Sequence, residues 1–456
     1  MDNPAFWSAK RQAAAIKAGE LGSRELLELY IDRIEQINPD INAVITTDFK
    51  TARRVADQAD KVITAGEPVG PLHGLPVTIK DAIETKGLCS TGGAIELASY
   101  IPESDAPVVN SVRRAGANII GKTNLPRWSG DIQAYNEIYG TTSNPWNLDH
   151  VPGGSSGGAA AAVACGLTSF EIGTDIGGSI RFPSAFCGVF GHKPSFGIVP
   201  STGYLDHALG GTTEADVNVI GPITRSAEDL ELLLGILLRE EAPWKPDLAP
   251  PPESLKDLRI ATWLNDDFCS LDDVVSEKLN EVVSKLETEN YQVTQNTRPD
   301  IEPLAASDLA FKLIGAALLQ SQPESGFSHR DWLEAHRSRV GIQQRWAEFF
   351  EDYDIILMPV CFVPPFPHVQ EGDFFTRTIE CNGIARPYVD LIRWTMLVGM
   401  ANLPSTVPPI GLGSTNLPIG IQVVGKYGAD LTTIRFASAI ADLMGGYIPP
   451  PIANLN

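Results

Sequence analysis

Positive charge is scarce in this sequence. Its 456 residues include 35 lysines and arginines against 56 aspartates and glutamates, which gives a formal net charge of -21 at pH 7. Proteins that bind nucleic acids neutralise phosphates with clustered cations, and an acidic surface is also repelled by anionic membranes. The charge balance therefore excludes most nucleic-acid-binding classes and disfavours binding to anionic membranes.

Cysteine clusters and long apolar runs are also missing. The six cysteines form no Cys-x-x-Cys pair and do not lie close to the seven histidines, so we expect neither a disulfide framework nor a zinc site. No apolar run approaches the length of about 18 residues that spans a membrane, and residues 1–20 lack the apolar core of a signal peptide. The expectation is a soluble cytoplasmic protein without a metal or a membrane partner.

The residues that are present are typical of a large α/β protein. Hydrophobic residues make up 43% of the chain, and glycine (41) and proline (34) are frequent, as in loop-rich enzymes. Helical apolar spacing runs through the first 65 residues, with Ser23 as a helix cap and Ala52, Val55, Ala59 and Val62 on one face. From residue 70, short β-like runs alternate with helical patterns, which predicts a mixed β-sheet covered by helices.

Residues 116–123, GANIIGKT, match the P-loop pattern G-x-x-x-x-G-K-[ST]. A phosphate cradle needs a turned loop that continues directly into a helix. Here residues 118–120 are typical of a strand, and Pro126 lies where the helix should run. A P-loop nucleotide-binding protein therefore stays only as an alternative from another class, beside a catalytically inert binding protein.

Residues 153–158, GGSSGG, satisfy the G-x-S-x-G pattern of a nucleophile elbow. An elbow needs a strand directly before the serine, a helix after it, and an acid and a histidine further along the chain. Residues 159–164 suit the helix, but the preceding run NPWNLDHVPGG is typical of turns and no downstream histidine stands out. The sequence around Ser155 therefore fits a Ser-His-Asp triad poorly. The alternative is that the glycines only permit a tight turn.

Three polar residues in separate motifs indicate one chemistry when they are taken together. They are Lys80 in LPVTIKD, Ser155 in PGGSSGG and Ser179 in IGGSIRFPS. This arrangement, including the separation of the two serines, resembles the amidase signature family, whose members use a Ser-cisSer-Lys triad. The resemblance covers roughly residues 20–240, including the P-loop-like run, and returns at 417–425.

The resemblance also implies an architecture. It predicts the α/β amidase signature fold, a mixed central β-sheet covered by helices on both faces. Within the chain, the helical spacing predicts an N-terminal helical segment over residues 1–65, the resemblance places the signature core at 66–240, and the five prolines between 243 and 252 predict a linker over 241–257. Residues 258–456 then complete the same sheet as an α/β part, which makes one large domain.

On this resemblance, Ser179 is the nucleophile and Ser155, preceded by a cis peptide bond, relays its proton to Lys80. The base must be neutral, so the pKa of Lys80 has to fall from about 10.4 towards the working pH. Burial beside apolar neighbours lowers a lysine pKa, whereas Asp81 would raise it unless strand alternation directs Asp81 to the other face. No metal or organic cofactor is required. The predicted oxyanion hole consists of the backbone amides of Ile176, Gly177 and Gly178.

The substrate site is predicted less fully. Ser129 and Gly130 are assigned by resemblance to the acyl side, and Thr174 is added because its hydroxyl can support the serine loop, while Asp175 and Arg181 can pair across the turn. Further wall candidates are Trp128, Tyr135, Tyr139, Phe182 and residues 204–211, and lid candidates are 373–380 and 321–340.

Phe182, next to the nucleophile segment, offers no cation to a substrate carboxylate. We therefore expect neutral, partly apolar amides as substrates, with carbamates (urethanes) and aryl esters compatible, and a monomer or homodimer without nucleic acid. The alternative within the family is the amidotransferase subunit that releases ammonia from glutamine with a partner protein, although residues 200–219 depart from its pattern.

Overall fold

The structure is a computed structural model, and it describes residues 3–205, 213–240, 246–318 and 328–454. In these ranges the α-helices are α1 Ala9–Ala18, α2 Ser23–Ile41, α3 Phe49–Thr64, α4 Pro107–Arg114, α5 Gly157–Ala164, α6 Arg181–Cys187, α7 Ala227–Leu237, α8 Asp273–Thr288, α9 Pro303–Leu318, α10 His329–Asp352, α11 Arg393–Met400 and α12 Asp430–Met444.

The strands in the same ranges are short, and most are buried. They are β1 Val44–Thr47, β2 Pro76–Lys80, β3 Asn118–Thr123, β4 Tyr135–Asn136, β5 Gly140–Thr141, β6 Glu171–Asp175, β7 Phe190–Lys193, β8 Val219–Thr224, β9 Arg259–Thr262, β10 Gln292–Thr294, β11 Ile355–Pro359, β12 Thr378–Cys381, β13 Ile384–Pro387, β14 Ser405–Val407, β15 Pro409–Leu412 and β16 Pro418–Gly425.

The first 65 residues differ from the sequence expectation in three details. Residues 44–47 form β1, because this short β-branched run pairs with β3. Ser23 is the first residue of α2 rather than its cap, and its hydroxyl donates to the Gly74 carbonyl instead. The buried face of α3 uses Ala56, while Val55 is 41% exposed, because the small alanine lets the helix approach its neighbours.

The main sheet is mixed and contains strands from both halves of the chain. Its order is β10-β9-β11-β16-β14-β7-β8-β6, with β15 paired to β16. Strand β9 runs parallel to β10 and β11, and the other pairs along this order are antiparallel. Helices α5 and α6 pack together on its strands, as do α7 and α12. The predicted α/β fold with a mixed central sheet is confirmed, while the division at 241–257 stays a prediction.

A smaller sheet of order β1-β3-β2 adjoins the β6 edge of the main sheet. The two meet through isolated hydrogen bonds, such as that from the Ser169 amide to the Pro76 carbonyl (3.1 Å). Buried polar side chains also cross this boundary, because Thr123 on β3 donates to Glu171 on β6 (2.8 Å). We call this boundary between β2 or β3 and β6 the seam, and Lys80 lies at one end of it.

Candidate active site

Lys80 ends strand β2 with its side chain completely buried. Its Nζ lies 2.6 Å from Ser155 Oγ and 2.7 Å from Thr174 Oγ1, which is on β6. The strand alternation that buries Lys80 here directs Asp81 elsewhere, where its carboxylate accepts from the Thr91 amide (3.0 Å). Lys80 and Ser155, two of the three sequence-predicted residues, are thus in direct contact, and Lys80 also contacts Thr174 across the seam.

Burial lowers the pKa of Lys80 to about 7, although the charges of Asp175 and Glu171 act in the opposite direction. Desolvation has this effect because it disfavours the ammonium form. A lysine with such a pKa is largely neutral just above pH 7 and can accept a proton there. Desolvation therefore outweighs the two nearby carboxylates, and the resulting pKa is one that suits a general base near neutral pH.

Ser155 follows Gly154, whose backbone lies very close to that of Ile132, and it precedes the buried helix α5. The Gly154–Ser155 peptide bond is cis, as the resemblance implies. A side chain at Gly154 would lie 2.5 Å from the Ile132 carbonyl carbon, so only glycine fits. Directly after Ser156 begins α5, whose sequence GGAAAAVA is entirely buried, because small side chains allow close packing on all sides.

The segment between β6 and α6 carries Ser179 and is organised by the buried carboxylate of Asp175. Its oxygens accept from the amides of Gly178 (2.8 Å) and Ile180 (3.1 Å), and from the Arg181 guanidinium (2.8 and 2.9 Å). Arg181 in turn donates to Thr395 O and Gln422 Oε1. The predicted pairing of Asp175 with Arg181 is confirmed, and it ties the serine segment to α11 and β16.

These contacts change one predicted role in the oxyanion hole. The amide of Gly178 donates to Asp175 and is therefore not free to stabilise an oxyanion. The preceding carbonyl, of Gly177, accepts from Thr395 Oγ1 (2.6 Å), so the 177–178 peptide is fixed at both ends. Gly178 also has φ +124°, and a Cβ there would lie 2.4 Å from the Phe182 ring. The amides of Ile176 and Gly177 remain as candidate donors, since neither has a partner within the described residues.

Ser179 is half-buried and faces a cavity of about 260 Å³. Most of the cavity wall is apolar, and the described lining includes Asp131 as its one charged side chain, paired with Arg377. The apolar lining residues are Ile132, Ile176, Phe182, Phe311, Ile314, Phe374, Phe375 and Ile392. Such a cavity, with a serine at one side, suits an uncharged substrate group.

The predicted substrate residues are only partly at this cavity. Ser129 and Gly130 line it, and the Ser129 hydroxyl is buried without a hydrogen-bond partner within the described residues. Thr174 does not belong to the lining; its hydroxyl contacts Lys80 instead, because β6 lies beneath the serine segment. The structure therefore places Thr174 next to Lys80 rather than at the cavity wall.

Of the aromatic residues predicted to form the cavity wall, some line the cavity and others do not. Phe182 lines the cavity, and Tyr135 contacts it indirectly by donating to Asp131 (3.1 Å). Trp128 and Tyr139 are not part of the described lining, and Tyr139 instead contacts Thr46. Of the other wall and lid candidates, residues 206–211 and 321–327 lie outside the described residues, Tyr204 is buried, and 328–340 belong to the cap and first half of α10.

The competing motifs have other roles in the structure. Residues 118–123 of the P-loop-like run form β3, and Lys122 donates to the Ile83 carbonyl and the Thr85 hydroxyl. The residues before Ser155 form turns rather than a strand, and its partner is Lys80 rather than a histidine. His192 is buried elsewhere against Asp430. Neither a phosphate cradle nor a nucleophile elbow is formed by these residues.

Within the ranges that the structure describes, no group of three or more histidine, cysteine or acidic side chains is arranged to hold a metal ion. Over the same ranges, no helix combines the length and the apolar character needed to cross a bilayer.

Comparison with known proteins identifies the family to which this geometry belongs. The sequence profile described as Amidase matches residues 25–321 and 315–434, which together make up most of the chain. The chain belongs to the amidase signature family. It is thus an amidase signature hydrolase, as the three motifs predict.

The names of relatives within this family indicate different substrates. The indoleacetamide hydrolase of Bradyrhizobium diazoefficiens is 32% identical over 96% of this chain and 87% of its own length. A glutamyl-tRNA(Gln) amidotransferase subunit from Acinetobacter baumannii is 31% identical over 93% of each chain. The solved structure of a bacterial aryl acylamidase of the amidase signature family superposes with a TM-score of 0.82, at 25% identity and 97% coverage of each chain.

Several residues at the site are not found by motif. Thr395 on α11 and the lining residues Phe311 and Ile314 on α9 come from the second half of the chain. Their spacing is the ordinary apolar pattern of a helix that packs on a core, so the sequence offers no separate signal for them. Asp131 was also missed, although it directly follows the predicted pair Ser129 and Gly130.

Proposed function

We propose that this amidase signature hydrolase cleaves the C–N bond of neutral, partly apolar amides through an acyl-enzyme on Ser179. The observation that carries the proposal is the buried, hydrogen-bonded contact of Lys80 with Ser155 beside a serine that faces an apolar cavity. Carbamates and aryl esters present nearly the same carbonyl group, so we include urethane and ester cleavage in the proposed range. A cytoplasmic location is part of the same proposal.

In the first step Ser179 Oγ attacks the carbonyl carbon of the amide. The hydroxyl proton of Ser179 passes to Ser155, whose own proton passes to the neutral Nζ of Lys80. The carbonyl oxygen becomes an oxyanion, for which the amides of Ile176 and Gly177 are the proposed donors. One such donor typically contributes about 10²–10³ in rate.

The same relay then runs in reverse. The C–N bond breaks as the leaving nitrogen takes a proton from Ser155, which is reprotonated by the Lys80 ammonium, so Lys80 is neutral again. Water then attacks the acyl-enzyme ester and gives a proton to the relay. The ester bond breaks as the relay returns this proton to Ser179 Oγ, which releases the acid and regenerates the free serine. Each proton that Lys80 accepts is returned, and no other co-reactant than water is needed.

The preference for neutral substrates rests on the cavity lining. A substrate carboxylate buried among isoleucines and phenylalanines would need a cationic partner. The described lining contains no lysine, arginine or histidine, and the nearby Arg377 is already paired with Asp131 (2.5 Å). A cavity of about 260 Å³ also exceeds the roughly 150 Å³ that accommodates benzene, so it can receive an aryl group.

The glutamine-hydrolysing amidotransferase subunit is a second candidate, which the 31% identity to such a subunit favours. Glutamine carries both an ammonium and a carboxylate, so it fits the apolar lining poorly. The two candidates are separated by assaying glutamine hydrolysis with and without added amidotransferase partner proteins. Ammonia release from glutamine only in the presence of those partners would support the second candidate.

The proposal is tested by labelling the protein with a fluorophosphonate and locating the adduct by mass spectrometry. We expect the adduct on Ser179, and loss of both labelling and amide turnover in Ser179→Ala and Lys80→Ala, each remaining folded. Ser169→Ala is a matched control, since this buried serine has no hydrogen-bond partner for its hydroxyl within the described residues. An adduct on Ser155, or turnover retained in either site variant, would overturn the assignment.

The substrate class is tested separately with a mass-spectrometric panel of amides, anilides, carbamates and esters. We expect turnover of uncharged members and at least about tenfold lower kcat/KM for matched substrates that carry a free carboxylate. A preference for the carboxylate-bearing members would contradict the proposed substrate class but not the triad.

A further inference from the structure

Two adjacent phenylalanines border the cavity on the side that opens to solvent. Phe374 is half-buried and Phe375 is 69% exposed, yet both belong to the cavity lining. They lie in a turn over residues 373–377, closed by hydrogen bonds from the amides of Thr376 and Arg377 to the Asp373 carbonyl. An exposed aromatic ring at the edge of an apolar cavity provides contact area for an apolar group that extends out of it.

The same turn is attached to the cavity wall by a buried ion pair. Arg377 Nη2 lies 2.5 Å from Asp131 Oδ2, and Nη1 donates to the Val369 carbonyl (2.7 Å). The other carboxylate oxygen of Asp131 accepts from Tyr388 OH (2.8 Å), and the Arg377 guanidinium lies 4.4 Å from the Tyr388 ring. Both charged side chains are more than nine-tenths buried.

This pair lies next to the aromatic side chains of the cavity wall. The Phe374 ring packs edge-on against Tyr388, with centroids 5.4 Å apart, and lies 5.9 Å from the Arg377 guanidinium. A buried ion pair adds little net stability, because desolvating two charges offsets their attraction, but it does restrict geometry. Here the restricted element is the turn that carries Phe374 and Phe375, and the paired charge of Asp131 adds no net charge to the wall.

Building on the proposed amide hydrolysis, we propose that residues 373–377 determine specificity. Phe375 contacts an aryl or long apolar group of the substrate that extends beyond the cavity. Asp131 and Arg377 are positioning residues that hold the two phenylalanines in place for this contact. The segment thereby favours amides with a bulky apolar substituent over short amides.

The role of Phe375 is tested with acetamide, phenylacetamide and acetanilide as substrates. We expect Phe375→Ala to lower kcat/KM for at least one aryl amide about tenfold relative to acetamide, mainly through KM. The matched control is Ile384→Ala, since Ile384 is 66% exposed on β13 and is not part of the lining. An unchanged ratio of aryl amide to acetamide, or an equal fall on all three substrates, would overturn the role.

The role of the ion pair is tested by comparing Arg377→Met, Arg377→Lys and the double variant Arg377→Met with Asp131→Asn. Arg377→Met leaves a buried carboxylate unpaired, so we expect both the urea midpoint and the aryl-to-acetamide ratio to fall. The double variant should recover the urea midpoint but not the ratio, whereas Arg377→Lys should recover part of the ratio. A double variant with the wild-type ratio would show that the pair does not position the wall.

Binding measurements distinguish a failure of this inference from a failure of the proposed function. Calorimetry of phenylacetamide with Ser179→Ala, alone and combined with Phe375→Ala, measures the contact without turnover. If the wild-type protein hydrolyses none of the amides but Phe375→Ala weakens binding at least about tenfold, the proposed function fails and the inference stands. If hydrolysis occurs but neither binding nor the substrate ratio responds to Phe375→Ala, the inference fails and the proposed function stands.

Discussion

Lys80 can accept a proton only in its neutral form, and burial brings its pKa to about 7. Below that pH the ammonium form dominates, and the proposed proton relay through Ser155 has no base. We therefore expect kcat/KM to rise with pH through a single acid limb centred near pH 7 and to level off above it. The measurement is kcat/KM for one neutral amide from pH 5 to 9, with Lys80→Met expected to be inactive throughout.

A second buried lysine provides the control for that profile. Burial also lowers the pKa of Lys193 to about 7, but its Nζ donates to the carbonyl of Pro194 and not to a serine. We expect the acid limb of Lys193→Met to have the same midpoint pH as that of the wild type, even if the variant differs in folding stability. A limb that moves or disappears in Lys193→Met would show that the titration does not belong to Lys80.

At the scale of secondary-structure elements, helix α11 fixes the serine segment that joins β6 to α6. Thr395 donates to the Gly177 carbonyl and thereby fixes the peptide next to the proposed oxyanion donors. Thr395→Val keeps the shape and removes the hydroxyl, so we expect kcat to fall at least about tenfold with KM nearly unchanged, because oxyanion donors act mainly in the transition state. Steady-state kinetics on one amide measures this split.

Thr433 on α12 is the matched control for that variant. It is buried and its hydroxyl likewise donates to a backbone carbonyl, that of Asp430 (2.8 Å). Each hydroxyl also has a second contact, Thr433 with Thr406 Oγ1 and Thr395 with the Ile392 carbonyl, both at 2.9 Å. Thr433→Val should therefore cost a similar amount of stability, about 1 kcal/mol per hydrogen bond lost, and leave kcat unchanged. Equal kinetic losses in the two variants would mean that Thr395 acts through general stability alone.

The elements also show what the sequence can and cannot predict. Lys80, Ser155 and Ser179 lie in short, distinctive motifs, so the sequence alone was enough to predict a triad at these positions. The β-like runs around Lys80 and Lys122 correspond to β2 and β3. Which amide of the serine segment is free depends on how Asp175 folds back onto Gly178. That contact is a property of the turn in three dimensions and leaves no periodic signal.

The cavity-lining residues that the sequence did not predict were missed for a related reason. Phe311 and Ile314 are three positions apart on α9 and share a face, as any pair of core residues on a helix does. Their place at the cavity depends on how α9 packs against α11, which follows from tertiary structure. The same limit applies to α3. Hydrophobicity alone predicts that Val55 lies on the buried face of this helix, whereas close packing in the structure buries the smaller Ala56 instead.

Across the whole molecule, the two sheets meet at a seam that buries charge in a chain already carrying an excess of acids. Glu171 on β6 lies in this seam with its side chain fully buried, and burial raises its pKa to about 7. From about pH 4.5 to 7 the folded protein therefore holds a proton on Glu171 that the unfolded chain releases. The contribution of Glu171 to stability consequently falls as pH rises through this window, by about 3 kcal/mol in all.

Replacing Glu171 with glutamine removes this titration, so Glu171→Gln should become more stable relative to wild type as pH rises from 4.5 to 8. The difference in the free energy of urea unfolding should grow by about 3 kcal/mol over that range and then stay constant. Ile172→Val, the next residue on β6 and also buried, should instead cost a constant amount of about 1 kcal/mol at every pH, because it changes no charge. A pH-independent difference for Glu171→Gln would show that Glu171 is ionised in the folded state, and the seam would then have to stabilise a full negative charge near Lys80, the proposed base.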